Sequence, residues 1–192
     1  MKVIGLAGRA GSGKSTIAKH LAGIDGIEWV DLDTVAWSTY ASGTDVYDRL
    51  VDAFGSAILG ESGEIDRSQL ASRAFQTEAT RQRLNKLVHP AVSNAVRSVI
   101  QHHLEEGTRI LLIEGALLAT SPHVDRSLYD MILWLETPDD VRSQRLHAMG
   151  RGHHAKRGKS SVPVGSFISV PNAGSVEDVA HRILKIIQDD GC

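Results

Sequence analysis

A glycine-rich stretch near the start of the chain carries the residue types that bind phosphate. Gly8 is followed after four residues by Gly13, Lys14 and Ser15, in the sequence GRAGSGKS. Glycines let backbone N–H groups wrap a phosphate, a lysine reaches the β- and γ-phosphates, and a serine hydroxyl ligates Mg²⁺. The stretch predicts a site for a nucleoside triphosphate with Mg²⁺. The residues expected to contact the nucleotide here are Gly8, Gly11, Ser12, Gly13, Lys14, Ser15 and Thr16.

Three carboxylates follow predicted strands and could complete a phosphoryl-transfer site. Asp31 and Asp33 end the segment IEWVDLD, and Glu114 ends RILLIE. Functional groups of parallel sheets collect at the carboxyl ends of the strands. Such carboxylates can accept a proton from an attacking hydroxyl or hold Mg²⁺, directly or through water. Two alternatives stay open: either aspartate could cap a helix near Thr34, and Glu114 could pair with a neighbouring cation.

The order of elements along the chain predicts how these groups are positioned. An apolar strand, the glycine loop and a helix open the sequence, and four further strands are predicted in IEWVDLD, RILLIEG, YDMILWLE and SFISV. The order of strands and helices predicts an α/β fold of three layers, with helices on both faces of a five-stranded parallel sheet. The second strand is predicted to end at Asp31 or Asp33.

The interval between the second and third strands is too long for a simple crossover, and its apolar spacing predicts helices. His89 and Pro90 are predicted to mark a helix start, with Pro90 in the first turn. Thr137 is predicted to cap a helix after the fourth strand, and Ser175 with Asp178 to form a capping box for the last helix. We expect one domain with a core at 1–39 and 108–192, a helical insertion at about 40–107 and a short basic lid at about 145–165.

Composition excludes several classes of protein. The chain has 192 residues, a formal charge of −2 and a single cysteine, Cys192, so an intrachain disulfide is impossible and a cytoplasmic location is expected. We expect no membrane span, and nucleic-acid binding is disfavoured because no aromatic residue is interleaved with the basic residues of 145–159. The guanine-reading motif Asn-Lys-x-Asp is absent and the chain is short for a helicase or transporter core. A small-molecule kinase remains.

Several motifs together resemble the dephospho-coenzyme A kinases, which phosphorylate the ribose 3′-hydroxyl of dephospho-CoA with ATP. The opening GLAGRAGSGKST and the acidic VDLD are similar to that family's first loop and second strand. More specific are FGSAILGESGEIDRSQLASRAF and RQRLNKLVHP in the predicted insertion. The segments IEGALL and VPNAGSVEDV are similar to the family's third-strand end and late asparagine-containing loop.

The resemblance implies roles for particular residues. It implies that Asp33 is the catalytic base, assisted by Lys14 and by Arg145 at the start of the lid, whose cations close on the triphosphate. It implies that Asn172 lies beside the adenine and that Glu114 stands for the family's strand-end acid, so that Ser15 binds Mg²⁺ with help from Asp31 or Glu114. The residues expected to contact the acceptor are Asp33, Arg67, His89 and Leu117. The implied partners are ATP and dephospho-CoA, and the oligomeric state stays open.

Two other functions stay open on the sequence. One is a different P-loop small-molecule kinase, such as a nucleoside monophosphate kinase with a diverged lid. The other is a non-catalytic, regulatory nucleotide-binding protein. The second is motivated by Trp37, which stands where the family usually has an arginine, and by the glycine-bearing basic segment in place of a helical lid.

Overall fold

Five short apolar segments form one parallel sheet in the computed structural model, which describes residues 1–116, 118–119, 121–150, 163 and 165–189. The strands are β1 (Lys2–Ala7), β2 (Ile27–Asp31), β3 (Ile110–Glu114), β4 (Met131–Glu136) and β5 (Ile168–Pro171). Their order across the sheet is β2-β3-β1-β4-β5, and every neighbouring pair is parallel. The predicted α/β fold with a five-stranded parallel sheet is confirmed.

The chain divides into two compact units, Met1–Asp31 with the chain from His102 onward, and Leu32–Gln101. The α-helices of the described residues are α1 (Lys14–Leu21), α2 (Leu32–Ser38), α3 (Asp45–Phe54), α4 (Arg67–Ala74), α5 (Glu78–Glu105), α6 (Asp139–Ala148) and α7 (Val176–Asp189). No helix of the described residues is long and apolar enough to cross a membrane.

The core of the first unit lies between the sheet and two helices. Ile17 of α1 and Ile183 of α7 pack in one buried cluster with Leu6, Leu112 and Leu133 of the strands. Burying such aliphatic side chains contributes about 1.5–3 kcal/mol each. This packing fixes α1 against β1, so the loop that joins them has two rigid ends.

The second strand ends at Asp31, and Asp33 lies in the first turn of α2. A carboxylate is favourable there because the N-terminal end of a helix carries partial positive charge. Leu32, the first residue of α2, is buried. Of the two predicted ends for this strand, the structure has the earlier one.

The second unit has its own apolar core. Val46, Leu50, Ile58 and Leu70 form a buried cluster contributed by α3, α4 and the short 3₁₀ turn Ser56–Ile58. Helix α4 begins after Asp66, whose carboxylate accepts hydrogen bonds from the backbone N–H groups of the next turn at 2.8 and 3.1 Å. This cap fixes where the helix starts.

The prediction that a new helix starts at His89 and Pro90 is wrong, because α5 runs continuously through Pro90. A proline inside a helix removes one backbone hydrogen bond. Apolar side chains nevertheless continue across it at helical spacing and pack against the core of the second unit, namely Leu84, Leu87, Val88 and Ala91. That packing favours one helix over two.

The prediction that Thr137 caps the next helix is also wrong. Pro138 occupies the N-cap position of α6 and no side chain caps this helix, while the buried Thr137 hydroxyl donates to the carbonyl of Ser12. The capping box of α7 is present as predicted. There, Asp178 N–H donates to Ser175 Oγ at 3.1 Å and Ser175 N–H donates to Asp178 Oδ2 at 3.0 Å.

Candidate active site

The glycine loop joins β1 to α1 and leaves the start of the helix open to an anion. Gly13 occupies the N-cap position with φ 89°, and no side chain caps the helix there. The first backbone N–H groups of a helix lack partners within the helix, and together with its dipole they bind phosphate. Lys14 follows directly and is buried. The loop therefore has the geometry of a phosphate site.

Gly11 shows why the loop tolerates no side chain at its centre. Its φ is 78°, and a Cβ placed there would lie 2.8 Å from the carbonyl oxygen of Arg142 and 2.9 Å from Leu146 Cγ. Both partners belong to α6, so the loop is packed tightly against that helix.

Three side chains donate hydrogen bonds to one carbonyl of the loop. The backbone oxygen of Ser12 accepts from Thr137 Oγ1 at 3.2 Å, from Arg145 Nη1 at 3.2 Å and from Asn172 Nδ2. Asn172 also donates to the Thr137 hydroxyl at 2.9 Å. These hydrogen bonds hold the Ser12 carbonyl oxygen and so support the shape of the loop.

A buried arginine holds the neighbouring part of the loop. Arg142 is only 2% exposed, and its Nη1 donates to the carbonyl of Ala10 at 2.6 Å. Its Nε and Nη2 donate to Asp139 Oδ1, which also pairs with Arg9 of the loop at 2.8 Å. A buried guanidinium needs such partners, because an unpaired buried charge is costly.

Hard oxygen groups lie together at the carboxyl ends of β2 and β3. Ser15 Oγ donates to Glu114 Oε1 at 2.8 Å, and Asp31 is the register partner of Glu114 across the two strands. A hydroxyl and two carboxylates are the donor types that Mg²⁺ prefers, and protein Mg²⁺ sites commonly use one or two carboxylates plus phosphates and water. These residues fit a nucleotide-bound Mg²⁺.

A cavity of about 290 Å³ lies beside the loop, bounded by Gly11 and Gly13, by Arg145 and Met149, and by Val176 at the start of α7. Its place next to the loop suits the base and sugar of a nucleotide. A larger cavity of about 710 Å³ opens where β2 and β3 begin, lined by several polar residues. Ligands of parallel sheets bind at the carboxyl ends of the strands, not where the strands begin. We therefore place the candidate site at the smaller cavity.

The larger cavity includes His102 and His103, an adjacent pair that does not favour metal ligation, because neighbouring residues of a helix point in different directions. Within the described ranges, no group of three or more histidine, cysteine, aspartate or glutamate side chains could hold a metal ion. The second pair, His153 and His154, lies outside the described residues.

A separate polar cluster lies in the second unit. Arg67 lies over the ring of Trp37, with 3.1 Å between its Cζ and the ring centroid. Burial raises the pKa of Tyr40, while the positive charge of Arg67 lowers it and the negative charge of Asp33 raises it. Asp33, Trp37, Tyr40 and Arg67 therefore form one neighbourhood, which we call the Arg67 cluster.

The structure brings several of the predicted residues together. Ser12, Arg145 and Asn172 meet at one carbonyl, Ser15 meets Glu114, and Asp33 lies in the Arg67 cluster. His89 lies within α5. Leu117 and the lid positions 151–162 and 164 lie outside the described residues.

Sequence reasoning missed two contacts of the candidate site. It gave Thr137 a capping role and did not find its hydrogen bond to the loop. It also did not find the contact between Trp37 and Arg67, which are thirty positions apart in the chain. Pro138 already fixes the start of the helix, so Thr137 is not needed as its cap. That was the one weak sign in the sequence that the Thr137 hydroxyl has another partner.

The fold and this site define the class of protein. A phosphate loop that joins the first strand of a parallel sheet to a helix, with acidic groups at adjacent strand ends, is the architecture of a P-loop kinase. The chain matches the family described as CoaE, dephospho-CoA kinase, over residues 2–157. The protein belongs to the dephospho-CoA kinase family.

Relatives in this family align over most of the chain. A dephospho-CoA kinase of Aquifex aeolicus is 29% identical over 196 aligned positions, covering 98% of this chain and 97% of the relative. One of Bacillus cereus is 35% identical over 144 positions, covering 75% of this chain and 70% of the relative.

Solved structures share the fold over the whole chain. The crystal structure of TT1252 from Thermus thermophilus has a TM-score of 0.76 at 25% identity, covering 98% of this chain and 97% of that one. A Campylobacter jejuni dephospho-CoA kinase has a TM-score of 0.64 at 17% identity, covering 98% and 97%. An Acinetobacter baumannii shikimate kinase has 0.54 at 17%, covering 99% and 94%. The last two comparisons support the fold alone.

Proposed function

We propose that this protein transfers the γ-phosphoryl group of ATP to the ribose 3′-hydroxyl of dephospho-CoA. The observation that carries the proposal is a phosphate loop already held in shape by α6 and Asn172, in a chain of the dephospho-CoA kinase family. Phosphoryl transfer depends mostly on positioning and on charge stabilisation, which such a loop supplies.

The first unit binds the donor in this proposal. The loop N–H groups and Lys14 hold the β- and γ-phosphates, and the adenine occupies the cavity of about 290 Å³ beside Asn172. Arg145 donates to the same loop carbonyl as Asn172, which supports a place for its guanidinium next to the loop that would hold the phosphates. It offsets charge on the transferring phosphoryl group.

Ser15, Glu114 and Asp31 would hold Mg²⁺, the carboxylates directly or through water. When bound, the ion neutralises charge on the phosphate oxygens and orients them. The hydrogen bond from Ser15 to Glu114 keeps the serine hydroxyl directed toward the strand ends in the free protein.

Asp33 acts as the base in this proposal. The 3′-oxygen of the acceptor forms a bond to the γ-phosphorus, the bond from that phosphorus to the β–γ bridging oxygen breaks, and the hydroxyl proton passes to the Asp33 carboxylate. ADP leaves. Its place in the chain supports this role, since Asp33 follows the strand-end residue Asp31 by two positions.

We assign the acceptor to the helical unit, with Arg67, His89 and Leu117 as contacts carried over from the family resemblance. Arg67 is exposed and carries a fixed positive charge, which suits the anionic acceptor. The basic positions of 145–165 complete the donor side as a lid in this proposal. A cytoplasmic location, expected from the single cysteine, stays a prediction.

A substrate panel tests the proposed function. The purified chain with ATP and Mg²⁺ is offered dephospho-CoA, AMP, CMP, dTMP and shikimate in turn, and ADP release and product mass are measured. We expect one phosphate to be added to dephospho-CoA alone. Transfer to a nucleotide with none to dephospho-CoA supports the other small-molecule kinase, and nucleotide binding without any transfer supports a regulatory protein.

The base has its own test, Asp33→Asn. We expect kcat with dephospho-CoA to fall about 10³-fold with little change in the KM for ATP, because the amide cannot accept the proton. Asp45→Asn, an exposed aspartate of the same unit that pairs only with Arg49 in the described contacts, is the matched control and should keep full activity. Retained activity in Asp33→Asn would remove this residue from the mechanism.

A further inference from the structure

Arg67 is held in an unusual place for a cation. It is the first residue of α4, where the helix dipole disfavours positive charge. The nearest carboxylate in sequence, Asp66, caps the same helix, so its Oδ1 accepts from the N–H groups of Ser68 and Gln69 and from the Ser68 hydroxyl. No carboxylate of the described residues forms an ion pair with Arg67. Within the described part of the chain, the Arg67 guanidinium is therefore not held by a carboxylate at ion-pair distance.

The indole ring of Trp37, rather than a carboxylate, contacts the Arg67 guanidinium. The Cζ of the guanidinium lies over the indole, 3.1 Å from the ring centroid, and tryptophan is the best aromatic partner for a cation. A cation–π contact uses the face of the guanidinium and leaves its N–H groups able to donate to a ligand with anionic oxygens. Arg67 is exposed, so such a ligand can reach it.

Tyr40 and Asp33 are further neighbours of the stack. Tyr40 lies beside it and is half-buried; burial raises the pKa of the Tyr40 hydroxyl, and the positive charge of Arg67 opposes that rise. The negative charge of Asp33 acts on the same hydroxyl. Trp37 itself is 37% exposed, although a large aromatic ring is more stable when covered. Exposed Trp37, exposed Arg67 and the proposed base Asp33 thus lie in one place.

We propose that Trp37 is a positioning residue for the acceptor: its indole holds the Arg67 guanidinium in the orientation that binds the anionic diphosphate of the acceptor. This inference rests on the proposed function for the identity of the acceptor. A diphosphate offers the paired anionic oxygens that a planar guanidinium binds through two N–H groups. Fixing the arginine before binding lowers the entropy lost when the complex forms.

Kinetics of Trp37 variants test the inference. We expect Trp37→Ala to raise the KM for dephospho-CoA about fivefold, with kcat and the KM for ATP changed less than about twofold, since an exposed cation–π contact has about that strength. Trp37→Phe keeps a weaker aromatic face and should raise the same KM only about twofold. An equal loss in kcat for both variants would overturn a positioning role.

A double-variant cycle separates this role from a purely structural one. Arg67→Ala should raise the KM for dephospho-CoA about thirtyfold, because a charge-assisted contact is lost. If Trp37 acts through Arg67, adding Trp37→Ala to Arg67→Ala should change the KM no further. Additive effects would overturn the inference. Arg81→Ala is the matched control, since this exposed arginine of the second unit pairs with Glu78 at 2.7 Å and should leave the KM unchanged.

Binding measured without turnover distinguishes failure of the inference from failure of the proposed function. With the donor site filled by a non-hydrolysable ATP analogue, dephospho-CoA should change the tryptophan fluorescence of the wild type but not of Trp37→Phe or Arg67→Ala. Adenosine, which lacks the diphosphate, should change none of them. A response to adenosine equal to that to dephospho-CoA would show that Trp37 contacts the base, and would overturn the inference even in an active kinase. Binding of dephospho-CoA with this response but without phosphoryl transfer would instead overturn the proposed function alone.

Discussion

The phosphate loop and the Arg67 cluster hold their charged groups in opposite ways. Around the loop, Lys14, Arg142 and Glu114 are buried, and the loop carbonyls of Ala10 and Ser12 accept hydrogen bonds from side chains. In the Arg67 cluster, Asp33, Trp37 and Arg67 are exposed, and a stack on an aromatic ring takes the place of buried hydrogen bonds. The charged groups around the phosphate loop are therefore buried among protein partners, whereas those of the Arg67 cluster are exposed to solvent.

The difference follows from what each region must recognise. A triphosphate is small, highly charged and the same for every P-loop kinase, so a rigid cradle built from backbone groups serves it at low entropic cost. An acceptor is larger and differs between kinases, and side chains on helices can be exchanged without disturbing the sheet. We therefore expect variants of the loop to affect the donor and variants of the Arg67 cluster to affect the acceptor.

The largest expected effect is at Lys14. Lys14→Met should lower kcat/KM for ATP by about 10³-fold, because the positive charge beside the transferring phosphoryl group is lost from a buried position. The KM for dephospho-CoA should change little. Steady-state assays with each substrate varied in turn measure both values.

Lys19→Met is the matched control for this variant. Lys19 is on the same helix, is exposed, and lies 5.4 Å from the ring centroid of Trp29. Its loss should leave both substrates unaffected. If Lys14→Met raised the KM for dephospho-CoA as strongly as the KM for ATP, the division between a donor region and an acceptor region would be wrong.

The next largest effect concerns the side chains that hold the Ser12 carbonyl. Thr137→Val should raise the KM for ATP about fivefold and Asn172→Ala about tenfold, since a neutral hydrogen bond contributes about 1 kcal/mol and Asn172 makes two. The KM for dephospho-CoA should stay within about twofold. Isothermal titration with ATP and kinetics with dephospho-CoA measure the two sides.

Ser169→Ala controls for the loss of a hydroxyl near these positions. Ser169 is on β5 and donates to Glu136 Oε2 at 2.7 Å, away from the loop carbonyl. It should leave the KM for ATP unchanged. An unchanged KM in both Thr137→Val and Asn172→Ala would mean that the loop keeps its shape without these bonds.

The sequence predicts the fold of this protein well because its strands carry strong local signals. Residues 110–114 are an unbroken apolar run ending in an acid, and the structure buries Leu111, Leu112 and Ile113 completely or nearly so. Boundaries that depend on tertiary packing are predicted less well. Pro90 suggested a break, yet apolar contacts on both sides of it keep α5 continuous.

The candidate site is predicted in part for the same reason. The phosphate loop and Glu114 are contiguous motifs, so their chemistry can be deduced from spacing. Contacts between segments that are distant in the sequence cannot be deduced from spacing. Thr137 meets Ser12, and Trp37 meets Arg67, only because the folded chain brings separate elements together. Asn172 was expected beside the adenine, and its hydrogen bond to the loop carbonyl required the register of β5 against β4.

The smallest expected effect is a difference in pKa between two capping aspartates, Asp66 of α4 in the second unit and Asp178 of α7 in the first. In the second unit, the Ser68 hydroxyl and the N–H groups of Gln69 and Ser68 lower the pKa of Asp66. In the first unit, the backbone N–H of Ser175 and then its hydroxyl lower the pKa of Asp178. Ser68→Ala removes the strongest contribution at Asp66, whereas Ser175→Ala leaves the strongest one at Asp178 in place. The pKa should therefore rise more at Asp66 than at Asp178.

Carboxyl carbon chemical shifts followed by NMR across acidic pH measure both pKa values. A lowered pKa in the folded state stabilises the protein above the ordinary aspartate value, and this stabilisation disappears as the pH falls through the folded-state value. Ser68→Ala should therefore reduce stability at neutral pH and have little effect once Asp66 is protonated. Circular dichroism melts at neutral and strongly acidic pH test the sign. A larger rise in pKa at Asp178 than at Asp66 would contradict this prediction. It would show that the Ser175 hydroxyl, rather than the Ser175 backbone N–H, contributes most to lowering the pKa of Asp178.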